Sequence, residues 1–91
     1  MSFTNLIGYT AAFATTCAFV PQALKTVRER DTRSLSLSMY VIFTVGVYLW
    51  TLYGFTKNDG ALIAANVPTA LLSTWILLAK LRNVIRYKEP I

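Results

Sequence analysis

Trp50 and Asn66 are the two residues whose types and spacing could do chemistry inside an otherwise oily chain. The faces of a sugar ring carry C–H groups that stack on an indole, and its hydroxyls need the donors and acceptor of an amide. Trp50 lies six residues before Thr56, and Asn66 six after Gly60, the ends of two uncharged runs. On helices each is about 9 Å deep at 1.5 Å rise per residue, so the pair shares one level on neighbouring helices. That level is below the belt where aromatic side chains usually anchor a span. Pro68 frees the carbonyl of Ala64 beside them, and Asn66, Thr69 and Ser73 follow one another on a single face. An interhelical hydrogen bond would also use Asn66. Residue type alone leaves both readings open.

The elements that must position this pair are visible in the charges. The chain of 91 residues is 55% hydrophobic, and its thirteen charged residues leave three uncharged runs: Met1–Leu24, Ser34–Thr56 and Gly60–Ala79. Each is long enough to cross a hydrocarbon core of about 30 Å, which takes roughly 20 apolar residues. A soluble helical bundle would need charges every three or four positions on an outer face, and none of the runs has them. We therefore expect an all-α membrane protein with a single domain over 1–91. Its spans are placed at about 3–24, 34–56 and 60–79, ahead of a basic tail at 80–91. The first run has no basic segment before it, so it is expected as a retained span and not a signal peptide.

The net charge of +5 follows from topology and is not read as a nucleic-acid signal. The first connection holds Lys25, Arg28, Arg30 and Arg33, and the tail holds Lys80, Arg82, Arg86 and Lys88. The second connection holds Lys57 as its single cation. Basic segments gather on the cytoplasmic side, so the first loop and the C-terminus are expected inside and the N-terminus outside. The setting is then the cell (inner) membrane, crossed several times. The sequence has no histidine, and every carboxylate lies outside the uncharged runs. No metal cluster, no acid/base pair and no nucleophile–base pair is expected within the spans, and so no cofactor and no enzyme. Cys17 is the single cysteine and can form no intrachain disulfide.

Further candidates lie along the first two spans. Pro21 removes a backbone donor and leaves the carbonyl of Cys17 without its helical partner, while Gln22 brings an amide to the cytoplasmic end. The two are read as a hinge with an amide able to bond across to a neighbour, although a proline kink often only shapes packing. Met39, Phe43, Gly46, Trp50, Tyr53 and Lys57 recur at spacings of four and three, one face of a helix. That face is either a packing seam or the wall of a path. Tyr53, Lys57 and Asp59 cluster at its outer mouth, and Met39 and Phe43 form a bulky apolar pair at its inner end. Lys57 and Asp59 are two apart, so on a single helix they would point in different directions, and pairing is more natural between subunits than within one. Three helices enclose almost no space, so a path for a polar solute needs a second copy in the same orientation. That copy would bring two Trp50 and two Asn66 to opposite walls of one cavity.

These residues carry a resemblance. "FVPQALKTVRERDTRSLSLSMY" (Phe19–Tyr40) is similar to the PQ-loop signature, and with "GVYLWTLYG" (Gly46–Gly54) and "AAN" (Ala64–Asn66) the chain resembles SemiSWEET. That family is the bacterial half-size relative of SWEET sugar transporters, carriers already characterised by parallel repeats. The resemblance implies a parallel homodimer of 3+3 helices that moves sugar by alternating access without ion coupling. It implies Trp50 and Asn66 as sugar contacts, Tyr53, Lys57 and Asp59 as the outer gate, Met39 and Phe43 as the inner gate, and Pro21 as the hinge. Where that family can carry arginine at position 57, this chain has a lysine, a point charge in place of a bidentate fork.

The leading function is thus facilitated diffusion of a mono- or disaccharide. Its partners are the sugar, the lipid bilayer and a second copy, with no nucleic acid. The lack of an intramembrane Asp, Glu or His fits an uncoupled carrier, since a proton relay needs one. The alternatives are a PQ-loop carrier of another small polar solute such as an amino acid, and a non-transporting assembly subunit whose Asn66 and Gln22 only hold helices together.

Overall fold

The computed structural model describes residues 2–91, and three helices account for nearly all of them. They are α1 (Phe3–Glu29), α2 (Leu37–Thr56) and α3 (Gly60–Tyr87). All three are long and apolar enough to cross a membrane. At about 1.5 Å per residue even the shortest, α2, spans roughly 30 Å.

Each helix begins where a short polar side chain can take up the orphan N–H groups of its first turn. Ser2 Oγ accepts from the Asn5 amide at 3.1 Å, and Ser36 Oγ accepts from the Met39 amide at 3.3 Å. Asp59 Oδ1 accepts from the Leu62 amide at 3.1 Å. The Ser36 cap explains why α2 starts at Leu37 although the uncharged run begins at Ser34. At the other ends α1 and α3 run past Leu24 and Ala79 and stop on left-handed residues, Arg30 (φ 55°) and Lys88 (φ 54°). The α2–α3 turn closes on a left-handed Asn58 (φ 52°), with the Asp59 amide donating to the Gly54 carbonyl at 2.9 Å. Asparagine tolerates that conformation better than most residues.

α3 lies in the middle. It packs on α1 along one side and on α2 along the other, and α1 and α2 do not pack against each other. Small residues let the axes approach. A Cβ built on Gly8 of α1 would sit 2.7 Å from the Ala61 Cβ, and one on Gly54 of α2 would sit 3.1 Å from Ile63 Cγ1. A Cβ on Gly60 would run into the Tyr9 hydroxyl of α1. Such seams are how helices associate in lipid, where burial of apolar surface offers no advantage over the acyl chains. The result is a slab with Cα extents of 49 × 24 × 14 Å.

Because α1 and α2 are not neighbours, the connection between them must cross the end of α3. It does so at the end of the slab that carries both basic segments. There the Asn83 amide donates to the Arg30 carbonyl at 3.2 Å, and Lys80 Nζ donates to the Thr32 carbonyl at 2.9 Å.

Candidate functional site

The stripe anticipated on the second span is a continuous face of α2. About a quarter turn round the helix, Thr44, Val47 and Gly54 are buried against α3. Met39, Phe43, Trp50 and Tyr53 flank that contact and are between 41% and 56% exposed. Within one chain this face has no helix against it, so it is not an intrachain packing seam. Trp50 and Tyr53 meet edge to face with ring centroids 5.7 Å apart, and the Lys57 ammonium stands 5.9 Å from the Tyr53 ring centroid. An indole, a phenol and a cation thus form a ladder up the face, each in a favourable aromatic geometry. Beneath it Gly46 has nothing within 4 Å of where a Cβ would stand. The missing side chain leaves an apolar groove lined by Gly46, Leu49, Trp50 and Tyr53.

Asn66 is half-buried on α3, and its Nδ2 donates to the Leu62 carbonyl of its own helix at 2.8 Å. It makes no interhelical bond within the chain, and its Oδ1 has no hydrogen-bond partner among the described residues. The groove under Trp50 does not include it. One chain therefore leaves the indole and the amide as separate surfaces. Thr69 and Ser73, which follow Asn66 on its face, divide in role. Thr69 bonds back to the Ala65 carbonyl at 2.9 Å, and Ser73 is fully buried, accepting from Thr44 of α2 at 3.3 Å.

At the turn end, the carboxylate of Asp59 caps α3, and Lys57 leans over Tyr53. Lys57 and Asp59 form no ion pair within the chain. At the basic end Met39 and Phe43 lie exposed, with Tyr40 edge-on to Phe43 at 6.2 Å. Pro21 sits inside an α1 that continues through it to Glu29. Gln22 is exposed, and its side chain makes no hydrogen bond among the described residues. It lines a polar groove with Lys25, Thr26, Glu29, Asp31, Arg33 and Ser34. In that groove Asp31 and Arg33 pair at 2.9 Å, and the hydrogen bonds from Arg33 hold the Asp31 carboxyl down at about 2.

A second constellation lies outside the residues that type and spacing single out. Lys80 and Asn83 of α3 are completely buried, together with Thr32 of the loop. All three bond to Glu89 in the tail. Glu89 Oε1 accepts from the Thr32 hydroxyl at 2.6 Å and from Lys80 at 3.4 Å, and Oε2 accepts from Asn83 at 3.1 Å. Burial opposes the charge on Glu89, but the hydroxyl and amide of Thr32 and the Lys80 ammonium together hold its carboxyl below the usual range. Of the four basic residues that mark the tail as one topological signal, Lys80 is internal. A signal was present: Lys80 and Asn83 continue the Asn66–Thr69–Ser73 stripe at spacings of seven and three.

Comparison with known proteins places this architecture. Residues 3–62 match the PQ-loop family, described as the PQ loop repeat. The sugar transporter SemiSWEET of Leptospira biflexa is 49% identical over 85% of this chain and 91% of its own length. The chain belongs to the SemiSWEET family.

A SemiSWEET sugar transporter of Bradyrhizobium diazoefficiens is 44% identical over 86% of this chain and 91% of its own length. The crystal structure of SemiSWEET in the inward-open conformation superposes with a TM-score of 0.89 at 40% identity, covering 97% of this chain and 95% of that one. A crystal structure of a bacterial homologue of SWEET transporters gives 0.78 at 36% identity, covering 89% and 98%. The three-helix membrane fold and the family resemblance expected from sequence both hold. Among the described residues no cluster of His, Cys, Asp or Glu could hold a metal.

Proposed function

We propose that this SemiSWEET chain is an uncoupled sugar carrier, moving a mono- or disaccharide down its gradient as a parallel homodimer. The observation that carries the reading is the α2 face from Met39 to Lys57, aromatic, partly polar and uncovered within one chain. A second copy related by an axis along the membrane normal turns two such faces toward each other. Trp50 from each copy then offers an indole plane, and Asn66 an amide oxygen not used within its own chain. The site hydrogen-bonds without charge, which suits a polyol and leaves nothing to couple to protons. That relatives with nearly half their residues in common are named sugar transporters supports the same reading.

Tyr53, Lys57 and Asp59 close the outer mouth, with Lys57 of one copy reaching Asp59 of the other. Met39 and Phe43 close the inner mouth by apolar contact, and Pro21 with Gln22 supplies the bend between the two states. Both basic segments meet at one end of the slab, so that end faces the cytoplasm and the N-terminus lies outside the inner membrane.

The test is counterflow of labelled mono- and disaccharides in liposomes that contain the purified protein. Exchange of at least one sugar, lost in Trp50→Ala while the dimer survives, supports the carrier. A stable dimer that exchanges no sugar overturns it and leaves an assembly subunit.

A further inference from the structure

Neither the sugar site nor the gates use the polar knot at the basic end, yet its geometry is that of a clamp. The three ammonium hydrogens of Lys80 meet three acceptors: the Thr32 carbonyl at 2.9 Å, the Pro90 carbonyl at 2.7 Å and Glu89 Oε1 at 3.4 Å. Asn83 ties the loop from beside it, donating to Thr32 Oγ1 at 3.0 Å. Beyond Glu89 the tail reaches the first turn of α2, where the Leu37 amide donates to the Ile91 carbonyl at 3.1 Å. Leu37 is two residues before Met39. Since α1 and α2 do not pack together, the inner end of α2 is held, among the described residues of one chain, through α3, the loop and this tail.

A buried ion pair is a poor device for stability alone, because an apolar replacement of the same shape often does as well. It does impose one geometry. We propose that Glu89, acting through Lys80 and Thr32, is a positioning residue for transport: it locks the loop and the inner end of α2 to α3, so that the three move as one body. The proposal rests on the carrier reading. Met39 and Phe43 then travel with α3, and the bend between states falls on α1 at Pro21, where the helix lacks a hydrogen bond.

The experiment compares the full chain with Glu89→Gln and Thr32→Val, all in a Cys17→Ser background. Counterflow gives the maximal rate and the sugar KM. Spin labels on Ser38→Cys and Arg86→Cys, diluted with unlabelled protein, give the distance between the inner ends of α2 and α3. Both variants should lower the maximal rate about fivefold or more, the lower end of coupling between separate sites, with KM unchanged. They should also broaden the label distance. A distance that stays narrow, or one that broadens at an unchanged rate, overturns the proposal; so does a rise in KM alone, which would put Glu89 in binding. If Glu89→Gln no longer elutes as a folded dimer, Thr32→Val decides, since it keeps the ion pair. A parent protein that exchanges no sugar overturns the carrier reading instead, and the label distance then judges the clamp by itself.

Discussion

An indole exposed on a helix face and an amide that satisfies only half of itself are the two side chains on which the proposed recognition turns. Trp50 gains an edge contact from Tyr53 but no cover, and a flat apolar surface left open this way suits a ring with C–H faces. Trp50→Ala should abolish counterflow, whereas Trp50→Phe should keep a reduced rate. Measured in parallel with the elution volume of the dimer, the pair separates lost stacking from lost assembly. Asn66→Leu keeps the volume and removes the amide. It should raise the sugar KM roughly fivefold to tenfold, the worth of one or two neutral hydrogen bonds. An unchanged KM would return Asn66 to the role its bond to Leu62 already gives it, a polar residue satisfied by its own helix.

The helices set what those residues can do, and the seams between them leave little slack. The 2.7 Å approach at Gly8 means that Gly8→Val must push α1 off α3. Overpacking of this kind costs about 1–3 kcal/mol, read as a lower melting temperature in detergent. Pro21 works in the opposite sense. Pro21→Ala restores the donor to the Cys17 carbonyl and stiffens α1, so helicity by circular dichroism should hold while the counterflow rate falls. A rate equal to that of the parent would remove α1 as the moving element.

For the molecule as a whole, the basic end decides how three helices behave as one body. Lys80→Met leaves Glu89 buried beside Asn83 and Thr32 without its cation. Loss of one partner from a buried pair costs about 3–5 kcal/mol, which a thermal melt should show. Acid should act through the same knot, where Glu89 faces Lys80 from α3 and Arg33 from the loop. The carboxyl of Glu89 is held below its ordinary value in the fold, so the unfolded chain binds its proton first as pH falls. The stability it contributes is complete above the ordinary carboxylate range and is lost as pH drops toward its lower folded value. Melting curves of the parent should decline through that window, and those of Glu89→Gln should decline less.

Much of this was legible before any coordinates. Length without charge dictates a bilayer-spanning helix, because oil solvates neither an ionised group nor an unpaired backbone amide, and that rule yields three helices from Met1–Leu24, Ser34–Thr56 and Gly60–Ala79. The period of 3.6 likewise sets Met39, Phe43, Trp50, Tyr53 and Lys57 on one side of α2. Spacing along a helix carries no information about which helix lies beside it, and there the tertiary structure decided. It put α3 between α1 and α2, which uncovers the α2 stripe and forces the first loop across the end of α3. That crossing turns Lys80 from a charge expected in water at the basic end into a buried partner of Thr32 and Glu89, 48 and 9 residues away along the chain. Burial is a property of the assembled neighbours, so a lysine at a helix end reads the same in sequence whether water or a folded-back tail surrounds it.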